Sequence, residues 1–180
     1  MSARILGTIL AVPLLSAVSV EALAQTPAAQ TPPAQRAPAA PPQIPYGAPI
    51  GIESAKKIAA GCVVEAGKHG WSMAIAIVDG SGYLVYFERM PNTQLGSVDV
   101  AIDKARSSAL FRRPTSAFQA TLAAGGDGAR VLGLKGVNPN GGGVPIIVDG
   151  KVIGAVGISG ARAEQDEQVA VAGIKALEKQ

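Results

Sequence analysis

The sequence predicts an α+β domain in which helices pack on an antiparallel sheet. Two pairs of apolar runs are each separated by a tight-turn signal, at residues 79–82 in the first pair and at Asp149-Gly150 in the second. This pattern is typical of β-hairpins, whose two strands run antiparallel. Helical periodicity before, between and after the hairpins adds helices to the sheet. The expected order is helix, hairpin, helices, hairpin, helix, in a single compact domain.

The boundaries of these elements follow from side-chain spacing and turn residues. The first helix is expected from Ser54 to Gly70, a residue suited to the left-handed conformation that closes a helix. Ser97 is the predicted N-cap of a central helix that runs to about Leu110. Residues 125–128 are predicted to be a mobile loop because they are rich in glycine. Strands are predicted at residues 71–78, 83–88, 144–148 and 152–159, and further helices at 116–123 and 164–177.

The inward stripe of the central helix is mostly alanine, so the element that it packs against must approach closely. Gly154 and Gly157 lie in the last predicted strand, where they either permit such close packing or leave room for a flat ligand. We favour packing. Val100 and Leu110 point away from the stripe, and apolar residues on an outer face suggest a subunit contact. A homo-oligomer is therefore expected.

The N-terminus has the features of a secretory signal. Arg4 precedes an uncharged apolar run at residues 5–20, and Ala22-Leu23-Ala24 supplies the small residues that a signal peptidase needs. The run contains Pro13 and is shorter than the ~20 apolar residues of a spanning helix, so a retained membrane anchor is the less favoured alternative. We expect residues 1–24 to be removed. The mature protein is then periplasmic or extracellular and keeps no integral membrane segment.

Residues 25–50 are rich in proline, alanine and glutamine and carry one charge, Arg36. Proline fixes φ and lacks a backbone donor, so this stretch is predicted to be a disordered linker. A polyproline docking motif for a partner is the alternative. Residues 51–180 are then the single folded domain, of ordinary size.

Composition excludes several classes of function. The net charge is only +3, and aromatic residues make up 4% of the chain, so nucleic acid is not an expected partner. A single histidine excludes sites built from several histidines, and a single cysteine excludes an internal disulfide. His69 is interpreted as a helix-end residue and Cys62 as a core residue. No catalytic constellation stands out.

Cations crowd the end of the central helix, and they are the strongest candidate for a binding site. Arginine forms bidentate contacts with carboxylates and phosphates, so the cluster suits a small anionic ligand. The alternative is structural: Asp99 and Asp103 would pair with these cations on the helix surface, and the remainder would stabilise the helix C-terminus. The cluster consists of Lys104, Arg106, Arg112 and Arg113.

A series of motifs across residues 51–180 resembles the GlcG/HbpS-like haem-binding family. The motifs occur in order and at plausible spacing, and together they are specific. They are Val78-Asp79-Gly80-Ser81-Gly82-Tyr83-Leu84-Val85, Arg89-Met90, Ser97-Val98-Asp99-Val100-Ala101, Lys104-Ala105-Arg106, Phe111, Arg113-Pro114-Thr115, Gly141-Gly142-Gly143-Val144-Pro145-Ile146, Val156-Gly157-Ile158-Ser159-Gly160 and Gln165-Asp166.

The resemblance implies a compact α/β domain that assembles into oligomers. It also implies haem binding for some members and haem degradation for others. Under this reading Arg112 and Arg113 hold the haem propionates, Arg106 is a further cofactor-binding residue, and Thr115 matches a threonine that contributes to iron coordination. Met90 is an alternative near the iron, as is Tyr83. Methionine and tyrosine are among the usual strong axial ligands of haem iron, whereas threonine is not.

Two classes of function follow from these observations. The first is an exported haem-binding or haem-handling protein, more a binder than an enzyme. The second is an extracytoplasmic enzyme or accessory protein that acts on a small anionic metabolite, with the same arginines as its clamp. A corrinoid-binding module is a further alternative, because related domains are fused to corrinoid enzymes.

We predict that the exported protein begins at Gln25, because the Ala-Leu-Ala site directly follows a short apolar run. N-terminal sequencing of protein recovered from outside the cytoplasm checks this. A first residue of Met1, or retention in the cytoplasm, would contradict the prediction.

Overall fold

The computed structural model describes residues 43–177. The predicted signal peptide and most of the predicted linker lie outside these residues. Within the described part of the chain, no helix combines the length and apolar character needed to cross a membrane.

The described residues form an α+β domain in the predicted order. In chain order, its elements are helix α1 (Ile52–Lys68), strands β1 (Ala74–Asp79) and β2 (Leu84–Arg89), helices α2 (Ser97–Phe111) and α3 (Thr115–Ala123), a 3-10 helix (Gly126–Gly133), strands β3 (Gly143–Val148) and β4 (Lys151–Ser159), and helix α4 (Ala163–Lys175).

The four strands form one open sheet in the order β2-β1-β4-β3, and every neighbouring pair is antiparallel. The fold class predicted from the two hairpin signals is therefore confirmed. At the β3–β4 turn, Asp149 and Gly150 have φ values of 49° and 71°, as a two-residue hairpin turn requires. Gly70 after α1 has a φ of 68°, so the expected left-handed helix end is also confirmed.

The two faces of the sheet are covered by different helices. Successive residues of a strand point to opposite faces, and β1 buries both sets. Ile75 and Ile77 belong to a core of large apolar residues with α1 and α4. Ala74, Ala76 and Val78 face α2, whose contact residues are also small. The second layer is therefore much thinner than the first.

Close packing of α2 on β4 confirms the role expected of Gly157. A Cβ at Gly157 would collide with the backbone of Ala101 and Ala105 in α2. A Cβ at Gly154 would collide with the Val78 carbonyl of β1. Protein atoms fill the space beside both glycines, so neither one leaves room for a flat ligand.

Two predicted details of local structure are wrong. Ser97 is not an N-cap: it is the first residue of α2, Gly96 precedes it, and no side chain caps the helix. The Ser97 hydroxyl instead accepts a hydrogen bond from the Gln94 side chain at 2.9 Å and contacts the Ser159 hydroxyl at 3.2 Å. The segment at 125–128 is not an irregular loop, because most of it lies in the 3-10 helix.

Residues 43–50, here called the strap, were assigned to the linker by composition, and that boundary is wrong. Val152 donates its N–H to the Pro45 carbonyl at 2.9 Å, and Gly47 donates to the Val152 carbonyl at 2.8 Å. Ile50 is 5% exposed and belongs to the core. The domain therefore begins before Gly51. The high proline content of the region concealed the few residues that pack.

A buried ion pair joins α2 to α4. Lys104 Nζ lies 2.7 Å from Asp166 Oδ2 and donates a second hydrogen bond to the Ile158 carbonyl at 3.1 Å. The other carboxylate oxygen of Asp166 accepts the Ala161 N–H at 3.0 Å. Gly142, at a φ of 116°, borders the pair, and a Cβ there would crowd both side chains.

This pair removes Lys104 from the predicted cation cluster. Both side chains are almost inaccessible, so neither can meet a ligand in the described structure. Burial raises the pKa of the Asp166 carboxyl, while the hydrogen bond from Lys104 opposes the rise. Removing one member of a buried pair leaves an uncompensated charge, which typically costs about 3–5 kcal/mol. Lys104 is therefore a structural residue.

Candidate functional site

A cavity of about 460 Å³ lies beside the C-terminal half of α2. Its walls come from α2 and from the loop between the 3-10 helix and β3. We call it the α2 cavity. Residues that line it include Asp103, Arg106, Leu110, Lys135, Val137 and Pro139.

Arg106 is the one member of the predicted cation cluster that lines this cavity. Within residues 43–177 its guanidinium makes no ion pair and no hydrogen bond. Asp99 and Asp103 do not pair with Arg106 or Lys104, so the alternative of surface pairing is wrong for the described residues. The Arg106 guanidinium is thus an unpaired cation among the described residues, and it lies beside the apolar lining of the α2 cavity.

Arg112 has a different task, because it holds the strap. It adopts a left-handed conformation, with φ 53° and ψ 41°, where α2 ends. Its Nη1 donates to the Ile44 carbonyl at 3.0 Å, and its guanidinium lies 5.0 Å from the centroid of the Tyr46 ring. Its Nε is buried without a hydrogen-bond partner among the described residues. The Arg112 guanidinium is therefore partly occupied by contacts within the protein, and fewer of its N–H groups are available to a ligand.

Arg113 is exposed and lies outside the end of α2. Its Nε donates to the Phe111 carbonyl at 3.3 Å, and its guanidinium lies 5.4 Å from the Phe118 ring centroid. Phe118 in turn makes an edge contact with Phe111 at 5.4 Å. Arg113 therefore packs against the Phe118 ring with part of its guanidinium accessible to a ligand.

Thr115 is fully buried at the start of α3. Its Oγ1 accepts the Gly143 N–H at 2.8 Å, which ties α3 to the edge strand β3. The side chain and Gly143 fit so closely that a Cβ on the glycine would collide with Thr115. A role for this hydroxyl on iron would require the α3–β3 contact to open, and that role stays a prediction.

The structure does not bring Met90 to Thr115. Met90 follows β2 at one edge of the sheet and packs on the large core under α1. Thr115 contacts β3 at the opposite edge, three strand spacings or roughly 14 Å away. Tyr83 is 73% exposed and follows Gly82, which packs against Leu110. Of these two alternatives, Tyr83 is therefore the one beside α2.

The interpretations of Cys62 and His69 agree with the structure. Cys62 is buried, and removal from water raises the pKa of its thiol to about 12, so it is an unreactive core residue. His69 caps the end of α1 and stacks on Trp71, with ring centroids 4.3 Å apart. No cluster of three or more His, Cys, Asp or Glu suited to a metal ion occurs among the described residues.

A larger groove, of about 620 Å³, lies between α1 and α4 on the other face of the domain. Its lining includes Glu65, Glu164 and Glu167 against a single cation, Lys175. Hydrogen bonds from Lys68 and Gln168 lower the pKa of Glu65 to about 2, so its carboxylate stays charged. Carboxylates outnumber cations in the lining of this groove, so the smaller α2 cavity is the better candidate site for an anionic ligand.

Sequence reasoning missed Lys135, Val137 and Pro139, which form the far wall of the α2 cavity. They lie in an irregular segment with no periodicity that could assign them to a site. Reasoning from the sequence also missed Tyr46, because it lies in a proline-rich stretch. The only sequence feature that distinguishes Tyr46 is that no other residue in the stretch 25–50 is aromatic.

Comparison with known proteins gives consistent matches. The family described as haem degrading protein HbpS-like matches residues 50–175. Protein GlcG of Escherichia coli strain K12 is 37% identical over 95 residues, which cover 53% of this chain and 69% of GlcG.

Solved structures with the same fold include two of particular interest. The crystal structure of HbpS superposes with a TM-score of 0.67 at 28% identity, covering 73% of this chain and 92% of HbpS. A crystal structure of a PduOC:heme complex superposes with a TM-score of 0.65 at 26% identity, covering 71% of this chain and 94% of that one. The family match spans nearly all of the described domain and agrees with the motifs in the sequence. This chain belongs to the HbpS-like haem-degrading protein family.

Proposed function

We propose that this chain is an exported haem-binding protein and that the α2 cavity holds the propionate side of haem. Membership of the HbpS-like family and the haem complex of the structural relative PduOC support haem as the ligand. The signal-like sequence at residues 1–24 supports export. A homo-oligomer remains part of this proposal, supported by the exposed Leu110 side chain on α2.

The observation that carries the proposal is the uncommitted guanidinium of Arg106 at the wall of the α2 cavity. Haem combines two carboxylates with a large apolar ring, so its site needs cations beside an apolar surface. Arg106 and Lys135 supply the cations, and Leu110, Val137 and Pro139 supply the apolar surface. The volume of about 460 Å³ lies within the usual range for ligand pockets.

The remaining arginines contribute to different degrees. Arg113 has an exposed guanidinium and is available for a second anionic contact. Arg112 already donates a hydrogen bond to the Ile44 carbonyl of the strap. To contact a propionate directly, its guanidinium would have to give up this hydrogen bond or bind both partners at once. Bound haem supplies an iron centre, and the chain's own residues provide charge, apolar surface and shelter from water.

A small carboxylate metabolite is the second candidate ligand. The observation in its favour is that Asn138 and Asn140 also line the α2 cavity, beside Arg106 and Lys135. Amides and cations together could bind a compact polar anion without a large apolar ring. A titration with hemin separates this candidate from the first.

We predict that Arg106→Ala weakens hemin binding by at least tenfold. The loss of a hydrogen bond to a charged group costs about 1.5–3 kcal/mol, and about 1.4 kcal/mol corresponds to tenfold in affinity. Absorbance titration of the Soret band with the mature protein measures the change. Asp103→Asn should strengthen binding, because it removes an anion from the cavity wall.

Arg89→Ala is the matched control, because Arg89 is also exposed. It lies at the far end of β2, roughly 20 Å from Gly82, which is close to the α2 cavity. An equal loss of affinity in Arg89→Ala would show that binding depends only on overall charge. No saturable Soret change in the wild type at micromolar protein would exclude haem and favour the small carboxylate.

We predict that Thr115→Val lowers the free energy of unfolding by about 1–3 kcal/mol, because it leaves the buried Gly143 N–H without an acceptor. Thr115→Ser, which keeps the hydroxyl, should lose less. Urea unfolding measures both variants. A Thr115→Val variant as stable as the wild type would contradict the structural role. The Soret position of the same hemin-loaded variants tests whether the hydroxyl reaches iron, since only the valine variant would then shift it.

A further inference from the structure

Tyr46 in the strap lies against the end of α2. Its hydroxyl is 3.0 Å from the carbonyl oxygens of both Ala109 and Leu110, and a phenol has one proton to share between them. Carbonyls in the last turn of a helix lack the usual partner four residues on, and here the Ala109 carbonyl accepts the Arg112 N–H at 3.3 Å. The Tyr46 hydroxyl adds an outside donor at this helix end. Tyr46 therefore fixes the final turn of α2 from the side of the strap.

Tyr46 also contacts the Arg112 side chain. The guanidinium lies over the Tyr46 ring at 5.0 Å, a distance at which a cation is attracted to an aromatic face. The neighbouring Ile44 carbonyl accepts a hydrogen bond from Nη1 at 3.0 Å. The strap thus provides both contacts that hold the Arg112 side chain.

The buried Nε of Arg112 shows that this arrangement has a cost. Within the described chain the atom is shielded from solvent and has no hydrogen-bond partner. A buried donor without an acceptor is unfavourable, and such groups are uncommon in folded proteins. Tyr46 and the Ile44 carbonyl hold the guanidinium in place despite this cost, so the Nε–H reports on the contact between Arg112 and the strap.

Leu110 connects these contacts to the candidate site. Its carbonyl accepts from Tyr46, and its side chain lines the α2 cavity next to Arg106. The same side chain lines a second cavity, of about 460 Å³, that the strap itself forms with the β1–β2 turn. A displacement of Tyr46 would therefore alter the wall of the α2 cavity as well as Arg112.

We infer that Tyr46 is a positioning residue for the ligand site at the end of α2. Its hydroxyl holds the last turn of α2, and with it the Leu110 side chain on the wall of the α2 cavity, while its ring holds Arg112 against the strap. The strap is then part of the site and not a spacer. This inference rests on the proposed haem-binding function for the identity of the ligand, but the positioning of Arg112 can be measured without any ligand.

The test uses Tyr46→Leu, which keeps apolar bulk but removes the hydroxyl and the aromatic face, and Tyr46→Phe, which removes the hydroxyl alone. Tyr86→Phe is the matched control, because it deletes a tyrosine hydroxyl whose partner is Glu88. Two quantities are measured in the mature protein: the hydrogen-exchange rate of the Arg112 Nε–H by NMR, with Arg112→Lys for assignment, and the affinity for hemin.

We expect the Arg112 Nε–H to exchange slowly in the wild type, because the atom is buried. Tyr46→Leu should speed this exchange at least tenfold and weaken hemin binding several-fold. Tyr46→Phe should change both less, and Tyr86→Phe should change neither. If Tyr46→Leu does not fold, Tyr46→Phe still has to show faster exchange than Tyr86→Phe.

Unchanged exchange in the Tyr46 variants would overturn the inference. Faster exchange with unchanged hemin affinity would also overturn it, because the site would then not depend on Tyr46. A wild-type protein that binds no hemin would instead refute the proposed function. In that case the exchange rates alone decide whether Tyr46 holds Arg112.

Discussion

The direct contact between helix α2 and the backbone of strand β4 determines where the candidate site residues lie. Gly157 has no side chain, so Ala101 and Ala105 rest on the strand itself. This contact fixes the rotation of the helix about its axis. Successive residues of a helix are rotated by about 100°, so Arg106 lies on the flank when Ala105 faces the sheet. The α2 cavity forms along that flank.

The same rotation explains why two neighbouring cations of α2 have opposite tasks. Lys104 is directed into the protein, where it meets Asp166 from α4 and the end of β4. Arg106 is directed outward, to the α2 cavity. The buried pair joins the helices on the two faces of the sheet, and the exposed arginine is accessible to a ligand. One cation stabilises the fold, and we propose that the other supplies the binding charge.

The fold was largely predictable because its signals are local. A turn signal between two apolar runs indicates a hairpin, and an alanine stripe facing a glycine-containing strand indicates close packing. The burial of Lys104 was not predictable, since a lysine beside two aspartates on one helix is usually exposed. Its partner, Asp166, is 62 residues away in the sequence. The strap was missed because the prolines around Tyr46 and Ile50 are typical of a disordered linker, and only these two residues carry a signal for packing.

The candidate site was predictable only in part, for a related reason. Arg106 was identified from its position near other cations, but Lys135 and Pro139 come from an irregular loop that carries no periodic signal. Sequence proximity also grouped arginines that the structure separates. Arg112 holds the strap and Arg113 rests on Phe118, while Arg106 alone faces the α2 cavity. Adjacent charges therefore indicated the region of the candidate site without indicating which arginine lines the cavity.

The location of the bound ligand is the central claim, and NMR line broadening tests it most directly. Hemin is paramagnetic, so backbone amides near its iron broaden relative to a complex with diamagnetic zinc protoporphyrin. We predict broadening centred on Arg106, Leu110 and residues 135–140, with the signals of helix α4 (Ala163–Lys175) unaffected. Broadening centred on the groove between α1 and α4, or spread evenly over the domain, would contradict the account.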